Sequence, residues 1–165
     1  MKKILIYALV IAGILYFISA FNNKTENGKL NLEEEISEVT YRDVKYPQVK
    51  AQLAGAKLDL AVAHTPELRG LGLSGVEELG DNEGMLFIFE EAGKNGFWMK
   101  DMLMSIDMIF VDSDGKVVLV EENVSPDTFP ESFGSETESR YVIELAAGRA
   151  GEIGVVEGSE FKLVQ

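Results

Sequence analysis

The stretch GMLFIFEEAGKNGFWMKDMLMSIDMIFVDSDG, residues 84–115, decides the fold of this chain. Apolar runs at 85–89, 97–102 and 106–111 have the length of strands, and segments rich in glycine and charge, typical of turns, separate them. The run at 85–89 is nearly continuous, which indicates a strand buried on both faces. The turn Asp112-Ser113-Asp114-Gly115 then sends the chain back as a hairpin.

The same pattern extends outward in both directions. Alternating or apolar segments predict further strands at 48–53, 58–62, 116–120, 141–145 and 161–164. Thr65-Pro66 is a typical helix start, and Leu68, Leu71 and Leu73 are predicted to form the buried side of that helix. A second short helix is predicted at 149–153. We therefore expect a β-dominated α+β fold, a compact curved antiparallel sheet or small barrel with two short helices.

A basic start and an apolar run open the chain. Met1-Lys2-Lys3 is followed by residues 4–21, whose only polar side chains are two tyrosines and one serine. Such a run predicts an N-terminal transmembrane helix, or the apolar part of a signal peptide. Ile18-Ser19-Ala20 is a poor cleavage motif, so a retained anchor is favoured. The leading lysines predict a single-pass protein of the cell membrane with its C-terminal domain outside the cytoplasm, secreted if the segment is cleaved.

Three regions follow from this organisation. Residues 1–21 are predicted to be a membrane anchor or uncleaved signal, and residues 47–165 a globular β-rich domain. Between them, residues 22–46 are polar and acidic with few apolar side chains, which is typical of a tether.

The chain is strongly acidic, with 15 basic and 28 acidic residues and a formal net charge of −13. Because residues 1–21 contain two lysines and no acid, the remainder is more acidic still. Such a surface repels phosphate, so nucleic acid is excluded as a partner. There is no cysteine, so the domain is held together by its core and not by disulfides.

Several motifs occur in a recognisable order. They are Thr65-Pro66-Glu67, then 83–89, Phe97-Trp98-Met99-Lys100, Ile106-Asp107 and 141–145. In this the chain resembles the domain-of-unknown-function 192 family of small secreted or membrane-anchored prokaryotic proteins. The resemblance implies a compact, mostly-β domain. It implies no catalytic residue, because the family has no established activity.

Trp98, Lys100 and Asp101 are the first candidates for a binding site. If 97–102 is a strand, alternation places Trp98 and Lys100 on one face and Asp101 on the other. A tryptophan beside a cation and nearby acids forms a stacking platform for a sugar or peptide ring. The alternative, favoured by the abundance of aromatic residues in cores, is that Trp98 fills the core while Lys100 reaches water or pairs with an acid.

Asp107 is the second candidate, because a carboxylate inside the apolar run 103–111 needs a donor. Lys100 and Arg69 are the predicted ion-pair partners. The functional alternative is a pair of carboxylates, Asp107 with Glu83 or Asp101, that divide the roles of acid and base. Glu144, another acid among apolar neighbours, has the same two interpretations.

Metal and nucleophilic chemistry find little support in the sequence. Asp112–Gly115 lacks an oxygen ligand at the first position of a calcium loop, and His64 is the only histidine. No metal site and no cofactor is therefore predicted. A binding module for a small ligand or cell-envelope component, a saccharide or peptide, is favoured. The alternatives are a carboxylate-dependent hydrolase and an interaction scaffold that uses the loop containing Phe129 and Phe133.

Overall fold

The computed structural model describes residues 37–134 and 136–164. The predicted anchor at 1–21 and most of the predicted tether lie outside the described residues. Within the described part of the chain, no helix is long and apolar enough to cross a membrane.

Eight strands and two short helices make up the described domain. The strands are β1 (Glu38–Tyr41), β2 (Val44–Leu53), β3 (Ala56–Ala63), β4 (Glu83–Lys94), β5 (Ile106–Val111), β6 (Val117–Val124), β7 (Glu138–Ala146) and β8 (Phe161–Val164). The helices are α1 (Pro66–Leu71) and α2 (Arg149–Glu152). The β-dominated fold with two short helices is therefore confirmed.

The strands form one strongly curved sheet. Its order is β1-β2-β3-β4-β7-β5-β6, and β8 pairs with the far end of β2. An isolated bridge between Lys116 and Glu160 joins the β6 and β8 ends at one point, but the sheet does not close into a barrel. The expected antiparallel pairing holds for every strand pair except one, since β3 and β4 are parallel. Their connection crosses over through α1, as a link between parallel strands must.

The sheet has two apolar faces. The first, here called the leucine face, contains Leu60, Val62, Leu86, Ile109, Ile143, Leu145 and Phe161. The second, here called the methionine face, contains Ala61, Ala63, Met85, Phe87, Met108, Phe110 and Val142, which belong to one buried cluster. Loops at 72–79 and 97–104 contribute Leu73, Val76, Met99 and Met102 to that cluster and so cover the methionine face.

Three local predictions need correction. Residues 97–102 are not a strand: only Phe97 forms a bridge, with Phe133, and the chain then turns through Asp101 at φ 57°. Of the predicted buried side of α1, Leu68 is half-buried against the methionine-face cluster, whereas Leu71 is 41% exposed. β1 and the start of β2 precede Pro47, so the folded domain includes residues assigned to the tether.

Candidate functional site

Trp98 is exposed at the surface rather than packed in the core. Its relative exposure is 58%, and its ring meets that of Phe129 at a centroid distance of 5.9 Å and an interplanar angle of 68°. Phe129 is itself 44% exposed. An edge-on pair of large rings in contact with water is unusual for side chains of this apolar area, and it forms an aromatic corner. This aromatic corner, Trp98 with Phe129, is the candidate ligand surface.

The loop that carries Trp98 is fixed on both sides of it. Phe97 exchanges two backbone hydrogen bonds with Phe133, at 2.9 and 2.8 Å, and Met99 is 1% exposed. The Ser74 hydroxyl donates to the Lys100 carbonyl at 3.0 Å. Because these contacts hold the backbone, little conformational entropy remains to be lost when Trp98 contacts a ligand.

Phe97 anchors the same loop to the sheet. Its ring meets the rings of Phe87, Phe110 and Phe89 edge-on, at centroid distances of 4.8, 5.9 and 6.3 Å. Edge-to-face contacts of this kind stabilise beyond the area that they bury. The chain reversal at Asp101 is held by its carbonyl, which accepts the N–H of Gly75 at 2.7 Å. Lys100 and Asp101 are both exposed beside Trp98 in the sequence.

Phe129 is presented by a short 3-10 turn, Pro126–Thr128. The Ser125 hydroxyl accepts the Asp127 N–H at 3.3 Å, and the Thr128 hydroxyl donates to the Ser125 carbonyl at 2.7 Å. Further along, a Cβ on Gly134 would overlap the Phe110 ring, so the chain packs tightly on the sheet there. Both sides of the aromatic corner are thus built on fixed backbone.

We expect Trp98→Ala to change the free energy of unfolding by less than about 1 kcal/mol, because most of the ring is already in water. Met99→Ala, at the neighbouring buried position, should cost about 2 kcal/mol or more through the cavity that it leaves. Chemical denaturation of both variants tests this. Equal losses would show that Trp98 is packed like Met99.

Asp107 is completely buried and has neither predicted ion-pair partner. Its Oδ1 accepts the backbone N–H groups of Asn123 at 2.8 Å and Gly148 at 3.0 Å, and its Oδ2 accepts that of Ala150 at 2.8 Å. The carboxylate therefore caps the N-terminus of α2, where negative charge is stabilised. With 0% exposure, Asp107 does not share a wet cleft with Glu83 or Asp101.

Arg69 and Glu83 have local structural contacts. One Nη of Arg69 donates to the carbonyls of His64 and Ile88, both at 2.9 Å, and its guanidinium lies 4.9 Å from the centroid of the Phe89 ring. The Glu83 carboxylate accepts the Gly80 N–H at 3.1 Å. Of the six candidates, only Trp98, Lys100 and Asp101 lie together on one loop.

Glu144 is the second buried acid for which the sequence left open an ion pair or a catalytic carboxylate. It is 4% exposed on the methionine face, and burial raises its pKa to about 8. Its Oε2 has no hydrogen-bond partner among the described residues. The raised pKa favours the protonated carboxyl at neutral pH, because burial penalises its charged form.

Two other features are less suited to a ligand. A pocket of about 50 Å³ is lined by Tyr41, Arg42, Val44, Tyr46, Leu71, Gly72, Ser74 and Val76, and its volume suits only water-sized molecules. Burial is the main cause that lowers the pKa of His64. No group of three or more His, Cys, Asp or Glu side chains in the described part could hold a metal ion.

The fold and this surface define a small β domain that offers an exposed aromatic corner. The chain belongs to the DUF192 family, an uncharacterized ACR, whose model matches residues 48–163. The family resemblance seen in the motifs is thereby confirmed.

Two solved structures are similar to this one. A candidate transcription regulator from Sinorhizobium meliloti 1021 is 30% identical, with a TM-score of 0.68 over 72% of this chain and 95% of that chain. A protein of unknown function from Novosphingobium aromaticivorans DSM 12444 is 25% identical, with a TM-score of 0.64 over 82% of this chain and 99% of that chain. No curated protein matches the chain significantly.

Proposed function

We propose that this protein is a membrane-anchored module outside the cytoplasm that binds a saccharide of the cell envelope at the aromatic corner. The observation that carries the proposal is the 58% exposure of Trp98 on a loop whose flanking residues are fixed. A soluble domain gains nothing in stability from an indole in water, so an external contact is the simplest reason for its position.

The chemistry of the surroundings favours an uncharged ring as ligand. The face of an indole stacks on the apolar face of a sugar, and exposed Lys100 and Asp101 offer a donor and an acceptor for hydroxyl groups. The formal net charge of −13 disfavours a polyanionic ligand. A neutral saccharide satisfies both conditions.

The location is inferred from the N-terminal sequence. The two lysines and the apolar run at 4–21 favour an anchor with the domain on the outer side of the membrane. A tethered domain there is held at high effective concentration near envelope polymers, so a weak individual site suffices.

A protein partner is the second candidate. Leu103, on the same loop as Trp98, is 59% exposed and adds apolar area to the surface. The regulator description of the Sinorhizobium protein does not support nucleic acid as the partner here, because the acidic chain repels phosphate. The hydrolase alternative is weakened by Asp107, whose carboxylate oxygens are occupied by backbone amides.

Calorimetric titration of the full-length protein tests the proposal. It should be done in a detergent without a sugar headgroup, with neutral oligosaccharides, peptidoglycan disaccharide fragments and their stem peptides as separate ligands. We expect saturable heat with a saccharide and a loss of affinity of about tenfold or more in Trp98→Ala and Phe129→Ala.

Leu71→Ala is the matched control, because Leu71 is also an exposed large apolar side chain, at 41%. It lines the small pocket and is not part of the aromatic corner. It should bind as the parent does. Binding lost in Leu71→Ala and kept in Trp98→Ala would contradict the aromatic corner as the binding surface. Binding of stem peptide alone, or of no saccharide, would contradict the saccharide assignment.

A further inference from the structure

The methionines of the domain are concentrated on one side of the sheet. Apart from Met1 the chain has five, and Met85, Met99, Met102, Met104 and Met108 all belong to or pack against the buried cluster of the methionine face. The leucine face is built from branched aliphatic and aromatic side chains instead. Methionine fills irregular space in cores, but its thioether is also a soft metal ligand.

Glu144 lies in the middle of this group. In the register of the sheet it is directly opposite Met85 of β4 on one side and Met108 of β5 on the other. Side chains opposite each other across strands share a face, with Cβ atoms about 5 Å apart. Met85 and Met108 therefore lie on either side of Glu144 on one face of the sheet. Glu144 is 4% exposed, and its Oε2 has no hydrogen-bond partner among the described residues.

We propose that Met85, Met108 and Glu144 form a binding site for a soft monovalent cation, Cu(I) or its analogue Ag(I). Thioether sulfur selects Cu(I) among biological metals. The incoming ion displaces the proton of the Glu144 carboxyl into solvent, and the carboxylate that forms neutralises the one positive charge, so the loaded site is neutral. Ca²⁺ and Mg²⁺ would need about six oxygen ligands, which this face does not offer.

The loop at 97–104 covers the methionine face. Met102 is 9% exposed and Met104 is half-buried, so thioethers occur at increasing exposure along this loop. The site is independent of the aromatic corner, and failure of one proposal leaves the other standing.

The test is titration of full-length protein with silver nitrate in chloride-free buffer, followed through the ¹³C-methyl resonances of methionine. We expect one equivalent of Ag(I) to shift the methyl signals of Met85 and Met108, assigned from the Met85→Leu and Met108→Leu variants. Both substitutions conserve volume and should cost less than about 1.5 kcal/mol, so the variants should fold.

Affinity in Met85→Leu, Met108→Leu and Glu144→Gln should fall by about tenfold or more, as each loses a ligand. Leu86→Met, next to Met85 but on the leucine face, is the matched control and should bind as the parent does. The proposal is overturned if one equivalent leaves both methyl signals unmoved. It is equally overturned if Glu144→Gln binds Ag(I) as tightly as the parent.

Discussion

Asp107→Ala is expected to lower the free energy of unfolding by about 3–5 kcal/mol, because three backbone N–H groups lose their acceptor at once. These N–H groups belong to β6 and to the start of α2. Loss of their common acceptor therefore loosens the contact between α2 and the sheet. This is a large share of the stability of an ordinary domain. Urea unfolding followed by circular dichroism measures it.

Asp107→Asn should cost less, about 1–3 kcal/mol, because one oxygen remains while an amide N–H replaces the other acceptor. Lys100→Ala is the decisive control. Lys100 is exposed and is not bonded to Asp107, so its removal should change stability by about 0.5 kcal/mol or less. A large loss in Lys100→Ala, matching that in Asp107→Ala, would restore the ion pair that the sequence suggested.

Glu144 should make the protein less stable as the pH rises from about 4.5 to about 8. Its pKa is raised from the ordinary value of 4.5 to about 8 by burial, so the folded state keeps a proton that the unfolded state releases in this range. The stabilisation by the retained proton is fully present below about pH 4.5 and is lost as the pH rises through about 8. The loss reaches about 1.4 kcal/mol per pH unit and about 4–5 kcal/mol in all.

Glu144→Gln removes this dependence. In metal-free buffer the variant should match the parent near pH 4 and exceed its free energy of unfolding by several kcal/mol near pH 8.5. Glu122→Gln, at an exposed position of β6, should follow the parent throughout. If the parent and Glu144→Gln show the same pH dependence, the carboxyl of Glu144 is not held protonated by the fold.

The strands could be predicted from the sequence where local pattern determines them. The predicted strands at 48–53 and 58–62 correspond to β2 and β3, and the final strand at 161–164 was located correctly, because alternation is a local signal. The run at 97–102 imitates a strand in its alternation, but tertiary contacts with Phe133 and Gly75 hold it as a loop. Parallel pairing of β3 with β4 carries no local signal.

The candidate site was predicted only in part for the same reason. The exposed position of Trp98 depends on the loop that carries Phe129, about thirty residues further on in the sequence. The partners of Asp107 lie 16, 41 and 43 residues away and are backbone amides, which no side-chain pattern indicates. The burial of Glu144 between apolar neighbours was visible in the sequence, whereas its methionine neighbours come from the register of three strands.

Fluorescence of Trp98 tests the central claim most directly, because it is the only tryptophan in the chain. We predict an emission maximum close to that of tryptophan in water, strong quenching by acrylamide, and a blue shift with protection from acrylamide when an envelope saccharide saturates the protein. An emission typical of a buried indole would contradict the exposed aromatic corner. A saccharide that binds by calorimetry and leaves the spectrum and quenching unchanged would contradict its role as the binding surface.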